Sequence, residues 1–281
     1  MPAPPPDARS FLSEIRGSRP SGEDGIILRV RPSVDFEPLR AARFFMLRRE
    51  DDLSPAIPRP FSVYRQLPDG DLEFLIKVMG HGTKALADSA PGTQLRTIGP
   101  LGNGWPTLDG DGAPWIMLAG GIGSAPFYMG MQQSLQGMDG ATATTPDQLT
   151  LIYGAARAGL LYDIDDFAAL GPRVLAATDD GSRGFHGNVV QHLEAEWEAG
   201  RIPEKVRLLA CGPEPMMAAV ARTAERRGLE CWVSLETLMG CGVGICNGCA
   251  VETKPDGPMG DWPIAKCCVE GPVFPALAIH V

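Results

Sequence analysis

Three cysteines lie close together near the C-terminal end of the sequence, at Cys241, Cys246 and Cys249, with glycines between them. This Cys-x4-Cys-x2-Cys spacing is the ligand pattern of plant-type [2Fe–2S] sites, in which each of two irons takes two thiolates. Glycine allows the positive φ values and the close backbone approach that such a tight loop needs. The spacing therefore predicts an iron–sulfur cluster, whose fourth ligand is either Cys267 or Cys268.

Two other uses of these thiols fit the sequence less well. A disulfide framework is disfavoured because the chain has seven cysteines, an odd number, and no secretory signal. A structural zinc site usually combines two Cys-x2-Cys knuckles, and only one is present. A zinc-stapled, nucleotide-binding regulatory module without redox activity is therefore the weaker hypothesis. Cys231 is typical of a small buried core residue.

Length and charge limit the class of protein. A chain of 281 residues suits two or three domains. Its 34 acidic and 25 basic side chains give a net charge of −9, which argues against a nucleic-acid or anionic-membrane surface. No apolar run approaches the roughly 18 residues that a membrane-spanning helix needs. Because free thiols persist in a reducing compartment, we expect a cytoplasmic location.

The sequence divides into four parts by composition. Residues 1–22 begin with four prolines in the first six positions and lack the apolar core of a signal peptide. We expect these residues to form a flexible, proline-rich tail. Residues 23–108 and 109–229 differ in their apolar pattern and form two predicted domains, and residues 230–281 hold the cysteine loop as a small third domain.

Residues 23–108 show short strand patterns separated by turn sequences. Residues 25–30 and 44–47 are apolar, and residues 71–78 alternate between polar and apolar side chains, as a half-buried strand does. Pro-Asp-Gly at residues 68–70 and Pro-Gly at residues 91–92 are typical of turns. Short strands at this spacing predict a small antiparallel β-barrel.

Three motifs within this predicted barrel have chemical potential. The run Arg59-Pro60-Phe61-Ser62 places a guanidinium and a hydroxyl at the start of one strand. The run from Gly80 to Lys84 offers glycine N–H groups and the Thr83 hydroxyl just before a helical turn, as an anion site would. A glycine-rich loop at residues 99–104 ends the barrel.

From residue 109 onward, strand patterns alternate with helix patterns. Residues 114–119 form a continuous apolar run, typical of a strand that is buried on both faces of a parallel sheet. This run leads into Gly120-Gly121-Ile122-Gly123 and then a helix, whose N-terminus can face the phosphates of a dinucleotide. Four more strands follow, at residues 149–153, 173–177, 206–210 and 231–235. This pattern predicts a Rossmann-like α/β domain with a parallel sheet.

Together these motifs resemble one family, the electron-transfer subunits of the two-flavin, NAD-dependent dihydroorotate dehydrogenases (class 1B) within the ferredoxin reductase superfamily. The resemblance covers residues 25–281, and its most specific part is the run from Cys268 to Phe274. In that family the fourth cluster thiolate stands three residues before a Gly-Pro-Val-Phe run. The resemblance therefore selects Cys268 over Cys267, a choice that the spacing alone leaves open.

The resemblance implies a role for each motif. In the barrel, Arg59 would neutralise the FAD pyrophosphate, Ser62 would hydrogen-bond the isoalloxazine edge, and Gly82 and Thr83 would bind the FAD phosphates. Phe61 stands where the superfamily often has tyrosine, so it could stack but not hydrogen-bond. The complete implied site contains the FAD residues Arg59, Pro60, Phe61, Ser62, Gly82 and Thr83, the NAD residues Gly120, Gly121, Gly123, Asp179, Gly212 and Pro213, Cys211 as the catalytic candidate, and the cluster ligands Cys241, Cys246, Cys249 and Cys268.

The function implied is an electron relay, in which the cofactors carry the chemistry. Electrons would pass between NAD and the FMN of a partner, the catalytic subunit that oxidises dihydroorotate to orotate in pyrimidine biosynthesis, through FAD and the cluster. The implied assembly is a heterotetramer of two plus two chains. The alternative is an NAD(P)H-dependent flavin and iron–sulfur reductase for an oxygenase, sulfide or ferredoxin acceptor. The choice between NAD and NADP stays open, since Asp179 and Asp180 disfavour a 2′-phosphate and Arg157 favours one.

Overall fold

The computed structural model describes residues 7–51 and 56–281. Its N-terminal half is an antiparallel sheet in the strand order β4-β3-β7-β1-β2-β6-β5, and helix α1 lies between β6 and β7 in the chain. The bounds of these elements are β1 (Arg9–Ser21), β2 (Gly25–Pro32), β3 (Phe44–Arg49), β4 (Arg59–Ser62), β5 (Arg65–Gln66), β6 (Leu72–Lys77), α1 (His81–Ala87) and β7 (Gln94–Leu101).

The sheet curls because its two edge strands are consecutive in the chain. β4 and β5 stand at opposite edges, yet only Val63 and Tyr64 connect them. Two residues add only about 7 Å of chain, so the edges must approach each other. The Val63 N–H donates to the carbonyl of Arg43, just before β3, and the Tyr64 N–H donates to that of Glu73 in β6. The connection is thus bonded to both sides of the sheet. The predicted antiparallel barrel is confirmed as a curled half-barrel.

The prediction of a flexible tail is wrong for residues 9–21, which form β1. This strand pairs with β2 on one side and β7 on the other, in the middle of the sheet. Phe11, Ser13 and Ile15 are buried at every second position, as expected for one face of a strand. Small and charged residues lie between these buried positions, and prolines precede them. The sequence alone therefore does not indicate a strand here. Residues 1–6 of the predicted tail lie outside the described residues.

The C-terminal half is built on a second sheet of seven strands, in the order β11-β10-β9-β8-β12-β13-β16. All neighbouring strands are parallel except β13 and β16, and β14 and β15 form a separate antiparallel pair. The predicted α/β domain is confirmed, with β11 and β16 as strands that the sequence did not reveal. The elements are β8 (Trp115–Gly120), α2 (Ala125–Gln136), β9 (Leu149–Ala155), α3 (Ile164–Ala169), β10 (Arg173–Thr178), β11 (Phe185–His186), α4 (Val189–Glu198), β12 (Arg207–Cys211), α5 (Glu214–Arg227), β13 (Glu230–Ser234), β14 (Ala250–Glu252), β15 (Ile264–Lys266) and β16 (Val273–Pro275).

The helices begin and end at residues that favour these positions. The Asn188 side chain caps α4 by accepting from the N–H groups of Val190 and Gln191, both at 3.0 Å. α5 ends at Gly228, which adopts the left-handed conformation with φ of 64°. In residues 7–51 and 56–281, no helix has both the length and the apolar character to cross a membrane.

Strands such as β3 and β8 contribute to two hydrophobic cores at once. In β3, Phe45 and Leu47 belong to the larger core, while Phe44 and Met46 face the second core. The same alternation occurs in β8, where successive side chains enter different cores. Because both faces are covered, β8 is apolar from Trp115 to Ala119, as predicted for residues 114–119, and β3 is apolar over residues 44–47.

The cysteine-rich segment shares the second core with both sheets. Cys249, Cys267 and Phe274 are buried together with Met46 and Leu101 of the first sheet. β13 lies in the parallel sheet, which contradicts the domain boundary predicted between residues 229 and 230. We propose instead that the cluster-bearing segment begins after Ser234. Its own strand β16 returns to pair with β13.

The structure predicts that β1 is essential to the first sheet. Replacing Ile15, which is fully buried, with alanine should lower the free energy of unfolding by about 2–5 kcal/mol. Replacing the adjacent Arg16, which is exposed and pairs with Glu14 at 2.8 Å, with alanine should change it by no more than about 0.5 kcal/mol. Chemical denaturation of both variants checks this, and equal stabilities would favour the flexible tail.

Candidate nucleotide, flavin and cluster sites

The parallel sheet has a topological switch point between β8 and β12. The chain continues from β8 to β9 on one side, and later adds β12 on the other. In open α/β sheets, ligands bind at the carboxyl ends of the strands at such a point. The predicted glycine turn after β8 and the Cys211-Gly212-Pro213 turn after β12 both lie there. The fold therefore brings these two turns to the edge of the sheet where a nucleotide site is expected.

The two turns at the switch point touch through their backbones. A Cβ atom added at Gly120 would lie 2.7 Å from Pro213 Cδ, and one added at Gly123 would lie 2.3 Å from the carbonyl oxygen of Cys211. Only glycine permits contacts this close. Gly121, whose φ is 53°, has open space around it instead, so its backbone is accessible to a ligand. Gly120 and Gly123 thus allow the two turns to pack closely, whereas Gly121 leaves its backbone open to a ligand.

Cys211, the predicted catalytic residue, is a neutral thiol in this environment. It ends β12 beside the glycine turn and is half-buried. Burial raises the pKa of the Cys211 thiol to about 12, and the nearby negative charge of Glu236 acts in the same direction. Since the thiolate is the reactive form of cysteine, the geometry favours a contact role over a nucleophilic one.

The loop after β10 carries the predicted acidic residues. The N–H of Asp179 donates to the carbonyl of Ala155 at 3.1 Å, and the N–H of Asp180 donates to that of Ala156 at 3.2 Å. Both aspartates are exposed. Asp179 follows a strand two positions away from β8, so the structure does not bring it into contact with the turn at Gly120.

Arg157 is engaged by a carboxylate from the other half of the molecule. Its Nε and Nη2 atoms donate to Glu23 Oε2 at 2.8 and 2.6 Å. Glu23 belongs to the turn between β1 and β2, and its N–H donates to the carbonyl of Gly159. The guanidinium that could attract a 2′-phosphate is therefore already neutralised, a partnership that no local sequence pattern indicated.

The predicted flavin motif lies on an edge strand of the first sheet. β4 pairs with β3, so that Pro60 is opposite Met46 and Phe61 is opposite Phe45. The Arg59 guanidinium is half-buried and donates to the carbonyl of Ile57 at 2.8 Å. Apolar surface is present on the same half of the molecule, since Ile57 is 51% exposed and Met79 is 78% exposed. A cation beside accessible apolar surface fits the pyrophosphate and ring of a flavin dinucleotide.

The predicted phosphate motif forms the first turn of α1. The Thr83 hydroxyl accepts from the N–H groups of Met79 and Gly80, at 3.0 and 3.1 Å, and donates to the carbonyl of Gly80. The hydroxyl is therefore used to start the helix. The backbone N–H groups of the first turn, including that of Gly82, are the donors that a helix leaves available to an anion. The phosphate role of Gly82 and Thr83 stays a prediction.

The four predicted cluster ligands form two pairs of thiols. Cys241 Sγ accepts from the N–H of Cys246 at 3.4 Å and also interacts with its thiol. Cys249 Sγ and Cys268 Sγ are 3.3 Å apart. In the described part of the chain, no three His, Cys, Asp or Glu side chains converge closely enough to share one metal ion. Two thiols for each of two irons is the donor set of a [2Fe–2S] cluster.

Local hydrogen bonds favour the thiolate at two of the predicted ligands, because they lower the pKa values of Cys241 and Cys249. Burial opposes ionisation of Cys241, but the N–H groups of Cys246 and Val243 outweigh it and lower its pKa to about 7. The hydrogen bond with Cys268 lowers the pKa of Cys249 to about 6, against the effect of burial, and raises that of Cys268. Thiolates are the form that binds metal, so these donors suit the predicted ligands.

Cys267 and Cys268 are neighbours in the chain but have different surroundings. Cys267 Sγ lies 3.8 Å from the carbonyl of Leu235, and burial raises the pKa of this thiol to about 12. Cys268 faces Cys249 instead. The direction of the two side chains agrees with the choice of Cys268 as the fourth ligand, which the spacing alone left open.

The cysteine loop rests directly on the first sheet. A Cβ atom added at Gly242 would lie 2.7 Å from Met46 Cγ and 3.0 Å from Leu101 Cδ1. Lys266 spans the two ligand segments, because its Nζ donates to the carbonyl of Gly244 at 2.7 Å. Neither Met46 nor Lys266 stands in a recognisable motif, so no local sequence pattern predicts their contacts with the cysteine loop.

The fold and these sites define a class of protein, the ferredoxin-reductase-like oxidoreductases with an added iron–sulfur segment. Residues 117–222 match a family model described as an oxidoreductase NAD-binding domain. Residues 236–280 match the iron–sulfur cluster binding domain of dihydroorotate dehydrogenase B. The chain belongs to the family of dihydroorotate dehydrogenase B (NAD(+)) electron transfer subunits.

Relatives of this family align with most of the chain. The subunit from Desulforamulus reducens is 33% identical over 237 residues, which are 83% of this chain and 84% of the relative. The one from Clostridium acetobutylicum is 30% identical over 252 residues, 90% of each chain. Among solved structures, an NADH-dependent reduced ferredoxin–NADP oxidoreductase superposes with a TM-score of 0.80 at 24% identity, over 96% of this chain and 90% of its own.

The cluster assignment predicts different outcomes for the two adjacent cysteines. Cys268→Ser should lose the iron–sulfur absorption and bound iron while retaining FAD, because it removes one of four thiolates. Cys267→Ser should keep both groups, since that side chain points toward Leu235. Iron and flavin contents of the two purified variants check the assignment. Normal iron content in Cys268→Ser would contradict it.

The pair formed by Glu23 and Arg157 predicts a change in nucleotide preference. Glu23→Gln should release Arg157 and improve the use of NADPH relative to NADH by about two- to fivefold, the range expected from an exposed ion pair. Glu14→Gln, which disrupts another exposed pair on the first sheet, is the matched control. Steady-state kinetics with both nucleotides measures the ratio. An unchanged ratio in Glu23→Gln would show that this pair has no influence on the preference.

Proposed function

We propose that the chain relays electrons between NAD and the catalytic subunit of a dihydroorotate dehydrogenase, through FAD on the half-barrel and a [2Fe–2S] cluster on the C-terminal segment. The single observation that carries this proposal is the packing of the cysteine loop on the flavin half-barrel, at Gly242 against Met46 and Leu101. A cluster site in contact with a flavin domain, which in turn adjoins a nucleotide sheet, is the arrangement that serial electron transfer requires.

The bound groups supply the redox chemistry, namely hydride exchange between NAD and flavin and one-electron exchange with the cluster. The residues of the chain bind and orient them. Arg59 offers a positive charge to the FAD pyrophosphate, and Ser62 and Phe61 lie on the same edge strand for the ring. Support comes from the half-buried position of this strand and from the exposed Ile57, whose carbonyl accepts from the Arg59 guanidinium.

At the nucleotide site, the residues of the chain bind mainly through close backbone contacts and less through charge. The Gly120–Gly123 turn meets the Cys211–Pro213 turn at the switch point, and the backbone of Gly121 there is accessible to a dinucleotide. Cys211 would contact the nicotinamide as an uncharged thiol and exclude water from the flavin. Asp179 and Asp180 would disfavour NADP, in agreement with the neutralised Arg157.

The partner would dock on the face that carries the cysteine loop. Leu238 and Ile245 are 89% and 80% exposed, and Ile245 immediately precedes the exposed Cys246. Large apolar side chains around a redox site suit a surface that another protein covers. We propose a heterotetramer of two plus two chains in the cytoplasm. The names of the relatives, which are electron transfer subunits, support the presence of a partner subunit.

A second candidate is a reductase for another electron acceptor. It is favoured by the likeness to the NADH-dependent reduced ferredoxin–NADP oxidoreductase, which extends over 96% of this chain and was studied for flavin-based electron bifurcation. The two candidates share the flavin, cluster and nucleotide sites and differ only in the acceptor.

Reconstitution separates the candidates. The purified chain is mixed anaerobically with a dihydroorotate dehydrogenase catalytic subunit that contains FMN, and dihydroorotate and NAD+ are added. The proposal predicts formation of NADH only when both proteins are present. A flavin-containing chain that reduces ferredoxin but never couples to dihydroorotate would favour the second candidate. A colourless, zinc-containing chain would exclude both.

The docking face predicts which surface residues the partner needs. Leu238→Glu should weaken association with the catalytic subunit by about tenfold or more, because it places a charge in a desolvated apolar contact. Leu277→Glu, at another exposed leucine of the same segment, is the matched control. Sedimentation or calorimetry measures both affinities, and iron content confirms that each variant holds its cluster. Equal affinities would place the partner elsewhere.

A further inference from the structure

Asn103 connects the loop that ends the half-barrel to the segment that follows Cys268. Its backbone N–H donates to the carbonyl of Gly271 at 2.8 Å. Its side-chain Nδ2 donates to the carbonyls of Glu270 and Val273 at 2.8 and 2.7 Å, and its Oδ1 accepts from the N–H of Val273 at 3.1 Å. One residue thus makes four hydrogen bonds to a stretch of four residues.

These bonds continue to both ligand segments of the cluster site. The Glu270 carboxylate accepts from the N–H of Lys266 at 2.6 Å. Cys267 and Cys268 lie in the chain between these two bonded residues. Lys266 Nζ in turn donates to the carbonyl of Gly244, inside the loop from Cys241 to Cys246. A set of hydrogen bonds therefore runs from the half-barrel to the segments that carry Cys241, Cys246 and Cys268. The N–H of Cys267 donates to the carbonyl of Cys249 at 2.9 Å, which connects the fourth predicted ligand.

The donors and the acceptor of the Asn103 amide match those of its partners, and a carboxylate of the same shape would not. It presents two N–H donors to two carbonyl oxygens and one oxygen to a backbone N–H. Aspartate has the same shape but would direct a carboxylate oxygen at those carbonyls. The backbone fit is close as well, since a Cβ atom added at Gly102 would lie 2.5 Å from Pro272 Cδ.

We infer that Asn103 is a positioning residue, which fixes the cluster ligands relative to the flavin half-barrel and so sets the rate of electron transfer between the two groups. This inference rests on the proposed function. Electron transfer falls steeply with the distance between donor and acceptor, and small displacements at a reacting site have large kinetic effects. Because Asn103 is exposed, water competes for its hydrogen bonds. These bonds therefore add little to the free energy of unfolding, and their main effect is to orient the segment that carries the ligands.

The test compares Asn103→Asp with Asn188→Asp in the holoprotein. The control changes the capping residue of α4, where aspartate is an equally good cap. Flavin and iron contents are measured first, and stopped-flow absorption then follows reduction by NADH. We expect normal contents and an unchanged flavin phase in both variants, but a cluster phase slowed by about tenfold in Asn103→Asp only.

Asn103→Ala provides a second readout that does not depend on activity. It removes all three side-chain bonds without adding a charge, and so remains useful if the aspartate variant loses its cluster. Hydrogen exchange should accelerate at Val273, whose N–H loses its acceptor, while Ala276, whose N–H donates to the carbonyl of Cys231, should keep its protection.

The outcomes separate this inference from the proposed function. A wild-type chain in which NADH reduces neither flavin nor cluster would contradict the proposed function itself. A wild-type chain with both phases, together with an unchanged cluster phase in Asn103→Asp and Asn103→Ala, would contradict the role of Asn103 alone.

Discussion

The cluster-bearing segment depends on the rest of the molecule for its core. A segment the size of residues 236–280 is too small to bury enough apolar surface alone. It packs Cys249, Cys267 and Phe274 into the second core, together with Met46 of β3 and Ile116 of β8. The positions of the thiols are therefore determined by the junction of the two sheets, and the cluster site is an extension of that junction.

This dependence makes the three redox sites one continuous structure. β3 presents alternate side chains to two cores, so the strand that pairs with the flavin motif also supports the cysteine loop. At the nucleotide end, glycines allow the turns after β8 and β12 to touch. The turn after β8 also lies against β6 of the half-barrel. Electron transfer benefits from such rigidity because its partners must stay at fixed separations.

Features that depend on a few neighbouring residues could be predicted from the sequence. The cysteine spacing and the glycine turn after β8 are local patterns, and the turn lies at the carboxyl end of its strand, as expected. β1 was missed because its buried positions gain meaning only from pairing with β2 and β7. The bonds of Asn103 to residues 270–273 join parts of the chain far apart in sequence, and no local pattern reveals them.

The central claim, that a flavin and a two-iron cluster form one relay on this chain, is tested most directly by anaerobic titration of the purified holoprotein with NADH under electron paramagnetic resonance. We predict that flavin absorption is bleached and that a reduced [2Fe–2S] signal grows to about one spin per chain, the capacity of a single cluster held by four thiolates. A flavin that is fully reduced beside a cluster that stays oxidised would contradict it.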